Sequence, residues 1–494
     1  MGFLRGFIEF ERIEQPHVPV EERVKSFCEI YGTLTDEQAK IQAGRCMDCG
    51  IPFCMHECPL HNDSPDFNEF VSEEQMNKAY NVLSATNNFP EITGRICPAL
   101  CEEGCTLGIH RKAVGIKSVE RKIAEYAFEH GLVKPVITEH RSGKKVCVVG
   151  SGPAALAAAQ QLNRFGHTVT VVEKMNKIGG LLRYGIPDFK LPKEILDRRI
   201  SQLEQEGITF KTSTIVGAIK NLEHGVHNDS LNEVRGQELL DNYDAIVLAP
   251  GSEAPRDLRL PGRDLKGIYF ALDFLIAQNR ENNGDCENPI DVRGKNVVVI
   301  GGGETASDCI GVSIRKGAAS VTQLDYHDEL PESVDLTMAW PDWRKIKRTS
   351  TSHEEGCTRL FSTNTTAFEG KDKLEAVVTE KVKWGEGRHF EGIKGTESKI
   401  KADVVLIAMG YSHPSSALIK EFALETDKRG NIKAEVQGES AYQTSNKKVF
   451  AAGDGRKGQS LVVYAIAEGR QCAAAVDDFL KDRKSTRLNS SHRT

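Results

Sequence analysis

The sequence predicts an α/β protein in which two similar parallel-sheet domains follow a mainly helical segment. Three observations predict it. Glycine-rich turns at Gly150 and Gly301 each stand between a short apolar run and a helix-forming stretch. The two starts lie about 150 residues apart, as one supersecondary unit used twice would. Seven of the 13 cysteines fall between Cys46 and Cys105, in a region with few β-rich runs.

Size and composition fit this plan. At 494 residues the chain exceeds one ordinary core, and about three domains are expected. A hydrophobic share of 39% with 27% charged residues is that of a globular protein. The net charge of −6, with lysines dispersed, leaves no basic stripe for nucleic acid. The best apolar stretches are strand-sized, so no membrane span is expected. The N-terminus has acidic residues by position 9 and no apolar signal core, and Gly6 fails the Ser/Thr requirement for myristoylation. A cytoplasmic location is expected. Residues 482–492 (DRKSTRLNSSH) read as a translated sequencing adapter and are set apart as segment 482–494.

In chain order, residues 1–140 carry the cysteines among helix-compatible stretches such as 114–130. At Lys144 the texture changes. A buried strand (KVCVV), a glycine turn, a helix to Leu162 and a second strand over 168–172 ending at Glu173 make a βαβ opening. The pattern restarts near 295, with NVVVI, a helix to about Lys316 and a strand over 320–324. YDAIVLAPG (243–251) and ADVVLIAMG (402–410) are matching strands, each expected to close one half. A late strand (VFAAGD) and long helix follow Lys448, so the first domain is expected to resume after the second. The expected divisions are 1–140, 141–255, 256–410 and 411–481.

The first loop spaces Gly150, Gly152 and Ala155 as G-x-G-x-x-A. The first glycine permits the turn, the second admits a pyrophosphate to the backbone, and the small third residue lets helix and strand pack. The helix start offers unpaired N–H groups to phosphate. Glu173, 21 residues after Gly152, is placed to accept from a ribose. The second loop repeats this with Gly301, Gly303 and Ala306, and Asp325 stands 22 residues after Gly303. Both halves therefore read as Rossmann-like dinucleotide-binding domains. An acid at Asp325 suits the free 2′-hydroxyl of NADH, whereas NADPH is usually met by arginine, for which His327 and Arg315 are the nearby basic candidates. The choice between NADH and NADPH stays open.

Cys46, Cys49, Cys54 and Cys58 form a C-x2-C-x4-C-x3-C run followed by Pro59, and Cys97, Cys101 and Cys105 form a second group with Pro98 after its first member. Short thiolate spacings can wrap iron–sulfur cubanes, with zinc the competing reading. Beside two dinucleotide loops, two [4Fe–4S] clusters are favoured, since a flavin partner needs one-electron acceptors. Seven cysteines leave an eighth position for a non-cysteine ligand or solvent; His110, Glu102, Glu103 and Glu120 are nearby. Residues 179–190 contain no cysteine, so the flavin-side disulfide of flavin disulfide reductases is missing and electrons must leave by the clusters.

The motifs CMDCGIPFCMHECPL (46–60), ATNNFPEITGRICPALCEEGC (85–105), GGLLRYGIPDFKL (179–191) and GDGRKGQSLVVYAIAEG (453–469) resemble the small (β) subunit family of glutamate synthase over nearly the whole chain. The resemblance implies a disulfide-reductase-like arrangement with FAD on the Gly150 loop, together with Gly180 and Leu181, and NADPH or NADH on the Gly301 loop. It places Gly453 and Asp454 at the FAD ribityl chain, and Ser460, Leu461 and Val462 at a helix start aimed at the flavin. Relatives sharing the N-terminal region, including dihydropyrimidine dehydrogenase, interleave their clusters. Carried over, Cys46, Cys49, Cys54 and Cys105 hold one; Cys58, Cys97, Cys101 and Glu120 hold the other. Thr93 stands where some members carry another cysteine. Where some bacterial members carry Tyr-Arg-Arg, this chain has Asp325-Tyr326-His327-Asp328, and residues 339–368, with Trp340, Pro341 and Trp343, resemble the other branch.

The implied activity is oxidation of NAD(P)H, with FAD rather than a side chain carrying hydride transfer. Electrons pass through two clusters to the FMN of a large (α) subunit, which makes L-glutamate from 2-oxoglutarate and L-glutamine. This chain has no room for a glutaminase or FMN barrel, and position 2 is glycine rather than a nucleophilic cysteine. The rivals are an NAD(P)H:ferredoxin-type oxidoreductase or pyrimidine-reductase subunit with the same modules, and a zinc-stabilised dinucleotide-binding adaptor.

Overall fold

The computed structural model describes residues 3, 5–332, 346–385 and 389–481. The adapter-like segment and Trp340, Pro341 and Trp343 lie outside the described residues. Two five-stranded parallel sheets form the α/β body. The first runs Val449–Ala451, Ala245–Leu248, Lys145–Val149, Thr168–Val172, Thr209–Lys211. The second runs Thr358–Leu360, Ser320–Leu324, Asn296–Ile300, Val404–Ile407, Ile268–Phe270. Parallel strands are covered on both faces and therefore read as unbroken apolar runs. Val146 to Val149 and Val297 to Ile300 are accordingly all buried.

The chain returns to the first sheet through Val449–Ala451, then enters the helix Val462–Leu480. That helix lies on Pro153–Arg164, the helix of the first glycine loop. Gly469 permits the contact, since a Cβ there would come within 2.2 Å of the Ala154 carbonyl oxygen. An antiparallel sheet of Thr363–Gly370, Leu374–Trp384 and Phe390–Gly392, with Ser398–Lys401 on the middle strand, is an addition that the sequence pattern did not reveal.

The N-terminal region is helical, as expected. Thr35 and Gln38 close a capping box on Asp36–Ala43. Ser64–Ser72, Met76–Thr86, Pro90–Ile96 and Ile116–Glu129 follow. Ile116–Glu129 buries Ile116, Val119, Ile123 and Ala127 at helical spacing, and Glu120 is buried with them.

These helices do not form an isolated core. One apolar cluster runs from Phe67, Phe89 and Ile92 into Leu156, Ala157 and Ile466 of the first sheet's helices. Ion pairs reinforce the seam. Arg199 donates from Nε and Nη2 to the two oxygens of Glu91 at 2.7 and 2.8 Å, and both residues are buried. Arg198 also crosses the seam to Glu125, which Arg95 holds from within the N-terminal region. Breaking a buried pair strands a charge and costs about 3–5 kcal/mol. Glu91→Ala is therefore expected to lower the unfolding free energy from urea titration of helical circular dichroism by an amount of that order. An unchanged value would remove this pair from what holds the seam.

Candidate functional site

Both glycine loops are built alike. Gly150 has φ +101°, and a Cβ there would lie 2.4 Å from the Ala249 carbonyl oxygen. Gly301 has φ +137°, with the Ala408 carbonyl oxygen at 2.3 Å. Each first glycine thus turns the chain against the end of the neighbouring strand, where no side chain fits. The second glycines are the opposite: a Cβ on Gly152 or Gly303 would meet nothing within 4 Å. These glycines are also the N-caps, so no side chain satisfies the first N–H groups of either helix. Open backbone and free donors fit a dinucleotide pyrophosphate at each loop. Ala155 and Ala306 are fully buried at the helix–strand contact.

Glu173 is buried at the end of its strand. It accepts from Ser151 Oγ at 2.6 Å and from the Met175 N–H at 2.8 Å. Ser151 Oγ in turn accepts the Gly179 N–H at 3.0 Å. Ser151 thus ties Glu173 to the loop, a brace the sequence reading missed. Burial raises the Glu173 pKa despite these donors. Gly180 abuts Gly152, leaving 2.9 Å between a would-be Cβ and the Gly152 Cα, while Leu181 is half exposed.

At the second loop the Asp325 carboxylate folds over Gly302, its Oδ2 only 1.9 Å from where a Cβ would stand. Its Oδ1 accepts the His327 backbone N–H at 3.0 Å and faces His327 Nδ1 at 2.9 Å. His327 stacks on Trp384, which donates from Nε1 to the Tyr326 carbonyl at 2.8 Å. Arg315 is not available to a nucleotide phosphate, contrary to its candidacy. Its guanidinium is fully buried on Glu355, Ser26 O and the Phe189 ring.

The cysteines form two rings. Cys46, Cys49, Cys54 and Cys105 line one pocket, with Met47, Leu107 and Ile116. Cys58, Cys97, Cys101 and Glu120 line a second, with Asn87, Thr93 and Val463. Pro59 and Pro98 fix the backbone at the cysteines that precede them. A residue before proline is driven to extended backbone. Cys58 and Cys97 accordingly stand just past the helices Phe53–Glu57 and Pro90–Ile96, at ψ 117° and 137°. Asp48 and Ala99, inside the two short cysteine spacings, adopt positive φ of 47° and 63°. Such strain in non-glycine residues concentrates at functional sites.

Burial pushes the Cys46 thiol up to about 11 and Cys54 and Cys97 up to about 12. Thiolates there need a cationic centre to offset desolvation. Among the described residues, no three His, Cys, Asp or Glu side chains converge tightly enough to hold one metal ion. Rings around cavities suit an iron–sulfur cubane better than a single zinc.

Of the four candidates for the eighth position, only Glu120 reaches a ring. Glu102 pairs with Arg12 at 2.7 Å, Glu103 faces Arg348, and His110 is exposed. Glu120 Oε1 accepts from Thr93 Oγ1 and, at 3.3 Å, from Asn87 Nδ2. Burial raises its pKa to about 7.

Comparison with known proteins agrees with this geometry. Residues 144–469 match the family described as pyridine nucleotide-disulphide oxidoreductase, and residues 23–132 match dihydropyrimidine dehydrogenase domain II, 4Fe-4S cluster. The chain is 43% identical to a glutamate synthase [NADPH] small chain of Mycobacterium tuberculosis, over 96% of this chain and 95% of the relative. This chain belongs to the glutamate synthase small-chain family. It is also 41% identical to a glutamate synthase [NADH] of Saccharomyces cerevisiae, over 97% of this chain but 22% of that longer protein. The solved structure of M. tuberculosis FprA in complex with NADPH shares the fold at 21% identity, with a TM-score of 0.51, covering 71% of this chain and 87% of FprA.

As a glutamate synthase small chain it is an oxidoreductase whose cofactors are FAD, a nicotinamide dinucleotide and [4Fe–4S] clusters. No helix among the described residues is long and apolar enough to cross a membrane. Asp454 begins a short helix after Gly453 and accepts from Ser460 Oγ at 2.7 Å; burial raises its pKa to about 6. The long helix begins at Val462, with Leu461 as its cap and no side-chain acceptor on its first N–H groups. Val463, one residue further, lines the Glu120 ring. The start of the C-terminal helix and one cysteine ring thus meet at adjacent residues. Replacing Glu120 with alanine is expected to alter the EPR signal of one cluster and spare the other. Two unaltered signals would remove Glu120 from the ligand set.

Proposed function

We propose that this small chain is the electron-input half of a two-chain glutamate synthase. It oxidises NAD(P)H and supplies electrons to the FMN of a large chain, for reductive synthesis of L-glutamate from 2-oxoglutarate and L-glutamine. The observation carrying this reading is that the Glu120 ring touches the C-terminal helix at Val463, and that helix lies on Pro153–Arg164, the helix of the first glycine loop. The fungal relative adds support, because there the matching portion is about a fifth of a longer glutamate synthase. When bound, FAD takes hydride from the nicotinamide and hands electrons singly to the clusters.

The chain's own residues hold these groups. Gly150, Gly152 and Ala155 form the FAD pyrophosphate turn, with Gly180 and Leu181 beside it. Glu173, fixed by Ser151, keeps lone pairs for the ribose. Gly453 and Asp454 meet the ribityl chain. The N–H groups near Ser460, Leu461 and Val462 point a helix dipole at the ring system and favour negative charge there. Cys58, Cys97, Cys101 and Glu120 hold the flavin-side cluster; Cys46, Cys49, Cys54 and Cys105 hold the outer one. We divide the chain at 140, 255 and 410. The antiparallel bridge between Pro255 and Tyr411 supports the last two cuts, since both crossings run side by side there.

Gly301, Gly303 and Ala306 form the nicotinamide-nucleotide turn, and Asp325 accepts from the adenosine 2′-hydroxyl. A 2′-phosphate would repel that carboxylate. Loss of one charge-assisted bond is worth about 1.5–3 kcal/mol. Asp325→Ala is therefore expected to shift the ratio of kcat/KM values toward NADPH over NADH by roughly 10- to 100-fold. An unchanged ratio would take Asp325 out of the ribose site.

Stopped-flow reduction by NADH and by NADPH, followed by EPR, tests the function. The expected outcome is flavin bleaching, then reduction of two clusters, and glutamate formation once a large chain is added. A colourless protein holding zinc instead of iron and labile sulfide would overturn the reading.

A further inference from the structure

The joint between the two dinucleotide halves holds charges that none of the contacts above uses. Lys190 belongs to the loop between Leu181–Tyr184 and Lys193–Gln205, on the FAD half. Its ammonium nevertheless reaches across to the nucleotide half. It lies 2.6 Å from Asp308 Oδ1 and 3.3 Å from Glu304 Oε2. Both carboxylates stand in the first two turns of Glu304–Arg315, the helix that opens at the Gly301 loop.

The side chains of Lys190 and Asp308 are only 14% and 11% exposed, so the pair is largely shielded from solvent. Burial works against the Lys190 charge, yet Asp308 and Glu304 hold its pKa above the ordinary value.

The backbone on both sides of Lys190 is pinned. Phe189 is fully buried in the apolar core of the nucleotide half, with Phe274, Val299 and Ile310. It packs on Gly311, where a Cβ would come within 2.7 Å of Phe189 Cζ. The Phe189 carbonyl accepts the Ile30 N–H at 3.0 Å, and Arg315 covers its ring at 3.8 Å. On the other side, Lys193 donates to the carbonyls of Ile186 and Leu191 at 2.7 and 2.9 Å. The same segment starts at Gly180, which abuts Gly152 of the FAD loop. One continuous stretch, from Gly180 to Lys190, therefore touches the first glycine turn at one end and the helix that follows the second at the other.

We propose that Lys190 is a positioning residue for hydride transfer: through Asp308 and Glu304 it fixes the nucleotide helix against the FAD loop, and so sets how a nicotinamide held at Gly301 meets a flavin held at Gly150. This rests on the proposed assignment of the two loops. Its effect falls on the geometry of approach rather than on nucleotide affinity, because the pyrophosphate turn itself is unchanged.

The test uses the intact holoprotein. Reduction of wild-type flavin by NAD(P)H checks the loop assignment; its absence would sink that reading before Lys190 is questioned. In Lys190→Met the limiting rate of flavin reduction is expected to fall roughly 10- to 100-fold, the scale of a small misplacement of reacting groups. The dissociation constant of oxidised nucleotide, read from perturbation of the flavin spectrum, stays close to wild type. Photoreduction of the flavin, which needs no nucleotide, is unchanged. Asp308→Asn gives the same split, and Lys190→Arg restores most of the rate. A wild-type limiting rate in Lys190→Met or in Asp308→Asn overturns the proposal. So does a parallel loss of rate and affinity. A Lys190→Met protein that unfolds or loses FAD also overturns it, by assigning the pair to folding.

Discussion

The bidentate pair of Arg199 with Glu91 joins two regions that cannot work apart. Glu91 lies on the helix Pro90–Ile96, which ends at Cys97, and Arg199 lies on Lys193–Gln205 of the α/β body. The N-terminal helices are mostly short, 7 to 14 residues among the larger ones, and helices of that length are marginal alone in water. They hold their shape by docking. The apolar cluster continuing from Phe89 and Ile92 into Leu156 and Ile466 supplies the bulk of that docking, and the ion pairs fix its register. A cysteine ring positioned this way inherits its place relative to the first glycine loop from the seam, not from its own loops.

Much of the α/β body was legible because its signals are local. Each glycine loop compresses strand, turn and helix into about 30 residues, and burial on both faces leaves a continuous apolar run. What depended on distant contact was not legible. Arg315 is near Gly301 in sequence, but it closes the far end of a 12-residue helix, about 18 Å along the axis from the loop. It serves the N-terminal segment there. The antiparallel sheet was hidden because Thr363–Gly370 and Leu374–Trp384 are rich in threonine, lysine and glutamate and half buried, without a clean alternation. Lys190 and Asp308 are 118 residues apart, and nothing local in either motif points to the other.

The cysteines show the same division. Their number and spacing pointed to iron and sulfur, but spacing alone reads as two successive sets. Only the placement of Cys58 and Cys105 on opposite cavities, each away from its sequence neighbours, separates that arrangement from the interleaved one. Pro59 fixes the backbone at the first of these. It stops the helix at Glu57 and turns Cys58 away from Cys54.

Glu120 carries the reasoning furthest. A carboxylate on the apolar face of a helix is costly unless something there needs its charge. Its hydrogen-bond donors are the neutral side chains of Thr93 and Asn87, and the attraction of Lys117 does not offset burial, which still leaves its pKa raised. Apolar burial alone would favour leucine or alanine at this position. The cysteines around it are also acids, so neighbouring thiolates would make the carboxylate costlier still. A cationic centre inside the ring would reverse each of these penalties at once: it would stabilise three thiolates and the carboxylate, and it would give the orientation of Glu120 by Thr93 and Asn87 a purpose. With Glu120 as the proposed ligand, stability of the empty fold and metal binding make opposite demands on this residue.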